Sequence, residues 1–511
     1  MDHPVRVRFA PSPTGPLHIG GVRTALYNFL FAKKHKGVFI IRIEDTDQSR
    51  LVPEAEKYIY ESLAWLGIIP DESPVAGGPF APYCQSQRKN IYQSYVGQLV
   101  DSGHAYYAFD TEEDLNRMRD ANTQGKNSFL YNHVTRERMK NSLSLPEKEW
   151  LKLIDSGAPY VIRIKVPEKE EVRLKDEIRG WVIVNSSTLD DKILLKSDGM
   201  PTYHLAHLVD DHLMEITHVI RGEEWLPSAP LHVLLYKYFG WIDSMPRFAH
   251  LPLLLKPEGT GKLSKRDADK GGFPIFPVNW KDPASGEISI GFRERGYLPE
   301  AMVNFLALLG WNPGTEQEMF PMEELIEAFS MEKVNKSGAR FDIGKAVFFN
   351  QQYIRKKPTK DFEPLVRKKL EEHNLKTDPS RLHIIMEAMK DRITFPEEFF
   401  TKAEYFFSRP QHIETQAISK KYDGKSEAAL NHIAAKLNAH QGPLAGNGFR
   451  EIVEQAAGEY DIQPGQILSP LRIMVTGTTT GIDLMKTLEL LGPGEVSARI
   501  IAGVSLMARK G

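Results

Sequence analysis

The residues best suited to chemistry stand where a strand-like run, Val5-Arg6-Val7-Arg8-Phe9, passes through Ala10-Pro11-Ser12-Pro13-Thr14-Gly15-Pro16-Leu17 into His18-Ile19-Gly20-Gly21 and a helical pattern. Strand, small-residue loop and helix start, in that order, make a phosphate-binding device. Small and Pro residues let a ligand approach the backbone, and the helix start offers unpaired N–H groups at the positive end of its dipole. The spacing is neither Gly-x-Gly-x-x-Gly nor a P-loop ending in Gly-Lys-[Ser/Thr], so neither common nucleotide fingerprint applies. A histidine in such a loop has little to pack against and much to bind.

Three further constellations carry ionisable groups. Lys262-Leu263-Ser264-Lys265-Arg266 follows Gly259-Thr260-Gly261 within a Gly/Pro-rich tract, Pro257 to Pro277, that reads as a mobile loop region. Taken alone, a Lys-x-Ser-Lys run is a solvated basic loop. Arg42-Ile43-Glu44-Asp45-Thr46-Asp47 puts acids at the end of an apolar strand, where a capped turn and a ligand-holding cluster are equally consistent. His204, His207 and His212 lie close to Asp210 and Asp211 but lack the His-Glu-x-x-His spacing of a zinc helix, so Asp210-Asp211 reads as a helix-end acidic pair.

In their order and context these segments resemble the class I aminoacyl-tRNA synthetases. His18-Ile19-Gly20-Gly21 is similar to the HIGH signature, and Arg8 to Gly15 narrows the likeness to the glutamyl/glutaminyl branch. Lys262 to Arg266 resembles the KMSKS signature, with Leu for Met and Arg for the final Ser. The likeness to bacterial-type glutamyl-tRNA synthetases spans essentially the whole chain. It implies ATP-dependent attachment of L-glutamate to the 3′ end of tRNA(Glu) through a glutamyl-adenylate, with ATP and Mg²⁺ as the small-molecule requirements.

The resemblance also implies roles. His18 and Lys265 would be catalytic. ATP would be held by His18, Gly20, Glu224, Trp225, Leu253, Leu254, Lys262, Ser264 and Lys265. Glutamate would be held by Arg8, Ala10, Ser12, Glu44, Tyr203, His207 and Arg221, which suits a substrate with two carboxylates and one ammonium. Asp47 and Arg392 would contact tRNA, Arg392 as a reader of the third anticodon position. Between Arg355 and Lys369, seven Lys/Arg stand against two acids, which reads as a phosphate-facing stretch or as a solvated helix face.

The elements that must position these residues follow from periodicity. From Val5 to Tyr83 the chain alternates period-two strands with a helical pattern, and Val38 to Ile43 is a near-continuous apolar run typical of a buried parallel strand. Both motif-bearing segments then fall at the C-terminal strand ends, where such sheets bind ligands. The expected fold is α/β and multidomain: a Rossmann-type catalytic domain in two halves (1–83 and 197–243), an inserted α+β acceptor-stem domain (84–196), a stem-contact domain with the Lys262–Arg266 loop (244–356), and an all-helical anticodon-binding region (357–511).

Composition bounds the rest. At 511 residues the chain exceeds one core, and its net charge of −2 argues against binding nucleic acid through bulk charge alone. Cys84 is the only cysteine, so intramolecular disulfides and Cys-rich zinc sites are excluded, and no zinc is expected. The first strand begins within a few residues of Met1, leaving no room for a signal peptide, and no apolar stretch approaches the roughly 20 residues needed to cross a bilayer. A cytoplasmic monomer without membrane contact is the expectation. The rival readings are glutaminyl-tRNA synthetase, with β-barrels in its anticodon region, a tRNA-modifying relative without a large C-terminal region, and a non-catalytic RNA-binding paralogue.

Overall fold

The computed structural model describes residues 4–123, 129–414 and 422–508. The chain divides into two units, Met1–Arg295 with Pro299–Ala346, and Gly296–Leu298 with Val347–Gly511.

In the first unit, β1 (Arg6–Phe9) leads through the small-residue loop into α1 (Ile19–Lys34) and on to β2 (Val38–Ile41), which runs parallel to β1 with Arg8 opposite Ile40. The chain turns from α1 into β2 at Gly37, where any Cβ would meet the Val5 carbonyl oxygen at 2.1 Å. Next come β3 (Ala105–Ala108), β4 (Val161–Ile164), β5 (Glu171–Asp176), β6 (Gly180–Asn185) and β7 (Ile193–Leu195). β8 (His218–Gly222) and β9 (Arg247–Leu251), joined by the helix Ala229–Tyr238, complete the strands of the main sheet, and four two-residue strands follow, Leu254–Leu255, Trp280–Lys281, Ile288–Ser289 and Ala339–Arg340.

The main sheet has the order β2-β1-β8-β9-β5-β6. All of its pairs are parallel except the β5–β6 hairpin. The chain leaves β1 toward one side and returns on the other as β8, so the winding reverses between these two strands. At such a switch point the loops diverge and open a crevice.

β1 is buried along its length, yet half of it is arginine. Buried cations require partners, and Arg6 finds one in Glu72, two parallel bonds at 2.8 and 3.0 Å. The stretch 84–196 contributes to two sheets. β3, β4 and β7 form an antiparallel sheet of their own, whereas the hairpin extends the main sheet at Asp176 opposite Phe248. The tract from Pro257 to Pro277, expected as loop, holds a helix, Lys265–Gly271, which Ser264 opens with Asp267 in a reciprocal capping box. Between β3 and β4 the charged run at Arg136–Arg138 forms a 3₁₀ turn.

Beyond Val347 the regular secondary structure of the second unit's described residues is entirely helical. Its principal helices are Glu363–Glu372, Pro379–Met389, Gly424–Ala439, Gly446–Glu459, Pro464–Thr476, Leu484–Leu491 and Pro493–Ala508. They share one apolar core that includes Leu382, Ile385, Leu430, Ile433, Leu471 and Ile500, each fully or almost fully buried. Among the described residues no single helix is long and apolar enough to cross a membrane.

Candidate active site

The switch point holds a cavity of about 270 Å³. The loop after β1 supplies Ala10, Ser12, His18 and Gly20 to its wall, and the end of β8 supplies Arg221, Glu224 and Trp225. Arg8, Glu44, Tyr203, Leu253, Leu254 and Lys262 complete the predicted residues found there.

One part of the wall is suited to phosphate. His18 caps α1, its Nδ1 accepting the Gly20 N–H at 3.0 Å. A Cβ at Gly20 would stand 2.8 Å from the imidazole, so glycine is what lets the ring fold over the helix start. Because Nδ1 accepts, the neutral ring carries its proton on Nε2 and can donate it. Loss of water contact, and next the Lys262 charge, hold the His18 pKa below its ordinary value, which favours that neutral form. Lys262 Nζ pairs with Glu224 Oε1 at 2.8 Å, both side chains more than two-fifths exposed. Burial opposes ionisation of Glu224, but Lys262 outweighs it and holds the carboxyl below its usual range. An exposed pair of this kind is worth about 0–1 kcal/mol, so an anionic ligand can take the lysine at little cost.

A second part is suited to carboxylate and ammonium. Arg221 is almost fully buried: Nη1 donates to Tyr203 Oη at 2.8 Å, Nε to His250 Nε2 at 3.0 Å and Nη2 to the Trp225 carbonyl at 3.4 Å. Tyr203 lies between Trp225 and His207, ring centroids 4.2 and 4.7 Å away. Glu44 accepts from Arg42 Nη2 at 3.3 Å. Burial pushes its carboxyl up to about 7, against the pull of Arg42 and then Arg8.

Beneath the cavity lies a buried ionic floor. Asp211 accepts from Arg8 Nε at 3.0 Å and Nη2 at 3.2 Å, and from Arg42 Nη1 at 2.8 Å. Asp210 accepts from Arg88 Nε at 2.7 Å, Gln85 Nε2 at 2.9 Å and Tyr92 Oη at 2.8 Å. With Glu44, three carboxylates face three guanidiniums. Burial works against the Asp211 charge, but Arg8 and Arg42 prevail and its pKa lies well below the usual value. Asp210-Asp211, read from the sequence as a helix-end acidic pair, do lie in the last turn of the helix Tyr203–Leu213. Both are fully buried, because the buried guanidiniums of Arg8, Arg42 and Arg88 demand counter-ions.

The remaining predicted residues are not in the cavity wall. His207 is fully buried behind Tyr203, its Nδ1 3.2 Å from Asp211 Oδ2. Ser264 and Lys265 are exposed at the start of the helix Lys265–Gly271. Asp47 opens the 3₁₀ turn Gln48–Arg50 and accepts from Ser49 Oγ at 2.7 Å. Arg392 belongs to the second unit, where it is exposed beside a cavity that Tyr405 and Arg409 also line. Sequence reading missed Asp176, His250, Glu223 and His232. Glu223 accepts the Leu253 N–H at 2.8 Å and pairs with Arg179, fixing the start of the Leu253-Leu254 wall. The available signal was Arg221, a guanidinium at the end of the apolar strand β8, which needed acceptors such as His250.

Comparison with known proteins follows the same division. The family described as tRNA synthetases class I (E and Q), catalytic domain, matches residues 4–346, and an anticodon binding domain family matches residues 359–504. The glutamate–tRNA ligase of Cytophaga hutchinsonii is 54% identical over 507 residues, 99% of this chain and 98% of that protein. That of Amoebophilus asiaticus is 53% identical over the full length of both. A crystal structure of a glutamate tRNA ligase from Elizabethkingia meningosepticum, in complex with its amino acid, superposes with a TM-score of 0.95 at 46% identity, covering 99% of this chain and all of that one.

Proposed function

The chain belongs to the class I tRNA synthetases of the glutamate and glutamine branch and attaches glutamate to tRNA, and from that premise we propose that the cavity between β1 and β8 is where ATP and glutamate react. The observation that carries this reading is the meeting, in one cavity, of a phosphate-type wall (His18, Gly20, Lys262) and a carboxylate-and-ammonium wall (Arg221, Tyr203, Glu44).

The reaction has two steps. An α-carboxylate oxygen of glutamate attacks the α-phosphorus of ATP, and the P–O bond to the β-phosphate breaks, releasing pyrophosphate. The terminal 2′-hydroxyl of tRNA then attacks the adenylate carbonyl, loses its proton and expels AMP. Arg221, held by Tyr203, binds a substrate carboxylate as a fork, and Glu44 binds the ammonium. Arg8 and His207 act from the floor and from behind Tyr203, while Ala10 and Ser12 border the substrate. His18 Nε2–H and the α1 N-terminus meet the phosphates. Lys262 leaves Glu224 for the nucleotide, and Lys265, at the head of its helix, meets the pyrophosphate charge. Trp225, Leu253 and Leu254 give adenosine a surface. Positioning and charge stabilisation suffice, with no covalent enzyme intermediate.

Mg²⁺ arrives on the ATP phosphates, whose oxygens suit a hard cation. Of the cavity carboxylates, Glu44 is already paired with the buried Arg42, whereas Glu224, once Lys262 turns to the nucleotide, is the one that would face the ion. Asp47 and the stretch 244–356 face tRNA, Arg392 reads the anticodon, and the enzyme works as a cytoplasmic monomer.

The test is aminoacylation with labelled glutamate against tRNA(Glu) and tRNA(Gln) separately. His18→Ala and Lys265→Ala should each cost about 3 kcal/mol of transition-state stabilisation, the loss of one preorganised donor. Near-normal charging by a folded variant would remove that residue from the mechanism. Charging of tRNA(Glu) alone supports the reading role of Arg392, and equal charging of both removes it.

A further inference from the structure

Two buried ionisable side chains stand outside the cavity wall and have no part in the steps above. Asp176, at the end of β5, and His250, on β9, are both almost wholly buried. Asp176 Oδ2 lies 2.6 Å from His250 Nδ1, while Asp176 Oδ1 accepts the backbone N–H groups of Ile178 at 3.0 Å and Arg179 at 2.8 Å. His250 Nε2 accepts from Arg221 Nε at 3.0 Å. The chain of contacts therefore runs carboxylate, imidazole, guanidinium, and on to Tyr203 Oη.

Only one placement of protons satisfies it. A guanidinium donates and never accepts, so His250 Nε2 is bare and the ring proton sits on Nδ1, given to Asp176. Burial lowers the His250 pKa against the pull of Asp176, which agrees with a neutral ring. With Nε tied to His250, the guanidinium is fixed in rotation: Nη1 meets Tyr203 Oη and keeps a second hydrogen for the substrate, while Nη2 lies at 3.4 Å from both the Trp225 carbonyl and His232 Nδ1, longer contacts that a substrate carboxylate can replace.

We propose that Asp176 and His250 are positioning residues that set the Arg221 guanidinium for the glutamate carboxylate. The inference rests on Arg221 being that carboxylate's ligand. A purely structural role, tying the hairpin to β9, would give the same burial but a different response to an isosteric change.

Asp176→Asn supplies that change. Its amide oxygen stays with the two backbone donors, so its NH₂ faces His250 Nδ1. The ring proton is driven to Nε2, where it opposes the Arg221 Nε–H. An Asp→Asn change behind a histidine is known to act through such a tautomer flip. The expected result is a rise in KM for glutamate of about tenfold or more, since a hydrogen bond to a charged group is lost, with KM for ATP left unchanged. His250→Gln keeps an acceptor for Arg221 and has no tautomer, so adding Asp176→Asn to it should raise KM for glutamate no further. An unchanged KM in Asp176→Asn, or equal rises for glutamate and ATP, would overturn the proposal.

Arg221→Gln separates the two readings. An unchanged glutamate KM there removes Arg221 as the carboxylate ligand, whereas a large rise there with none in Asp176→Asn removes only the relay. Should Asp176→Asn fail to fold, nitrogen NMR of the unaltered protein decides. The His250 resonances, assigned by their loss in His250→Gln, must report a proton on Nδ1, and a proton on Nε2 overturns the proposal.

Discussion

Glu44 keeps only 9% of its side chain exposed and, with a pKa raised to about 7, is half protonated near neutrality while the cavity is free of ligand. An ammonium binds the ionised form. Glutamate should therefore bind more weakly as pH falls below about 7, approaching a tenfold loss per pH unit, with proton release on binding at neutral pH. Calorimetry across pH 6 to 8 checks this, and Glu44→Gln should flatten the profile. A pH-independent affinity in the unaltered protein would separate Glu44 from the ammonium. His18 stood out by its small-residue loop, whereas Glu44 was ambiguous on its residues alone and, like Arg221, took its expected role from the family resemblance. Asp211 and Asp176 were not legible, because their meaning lies in partners 203 and 74 positions away. A sequence window displays the arginine in a strand but not the acid that answers it.

The short helix Lys265–Gly271 is the element on which the second motif depends. A helix of two turns is marginal by itself, so its reciprocal cap matters disproportionately. Ser264→Ala should cost about 1 kcal/mol of local helix stability. Amides of residues 265–271 should then exchange with solvent several times faster, while protection in α1 stays the same. Unaltered exchange would show that packing, not the cap, holds the helix. The spacing Ser264-x-x-Asp267 was in plain view, but Gly259, Gly261 and the flanking prolines dominated the reading as loop. The β5–β6 hairpin was hidden for another reason. Its alternating burial is that of any half-exposed strand pair, and nothing local tells which sheet it extends.

Across the whole chain, the division between a doubly wound sheet and a helical region was legible in the sequence: the region expected to be all-helical, 357–511, lies beyond the last described strand, Ala339–Arg340. The basic stretch from Arg355 to Lys369 is less exceptional than its composition suggests, because Arg367 pairs with Glu363 and Lys369 with Glu372. The order of strands in the main sheet also governs how the chain must be made. β1 pairs with β8, and the bond from Arg6 N–H to Thr217 Oγ1 spans 211 positions. At roughly 5–20 residues per second, the first strand waits on the order of 10 to 40 s after leaving the ribosome before that neighbour exists. Nascent chains halted short of His218 should stay protease-sensitive through residues 5–10, and chains released beyond Leu251 should not; early protection would mean that β1 finds another cover. During that wait only β2 can cover β1, and Arg6 and Arg8 break the apolar run of Val5, Val7 and Phe9 with charge, which guards the open edge against aggregation. The arginine that later anchors the floor of the cavity first serves to keep the unfinished protein in solution.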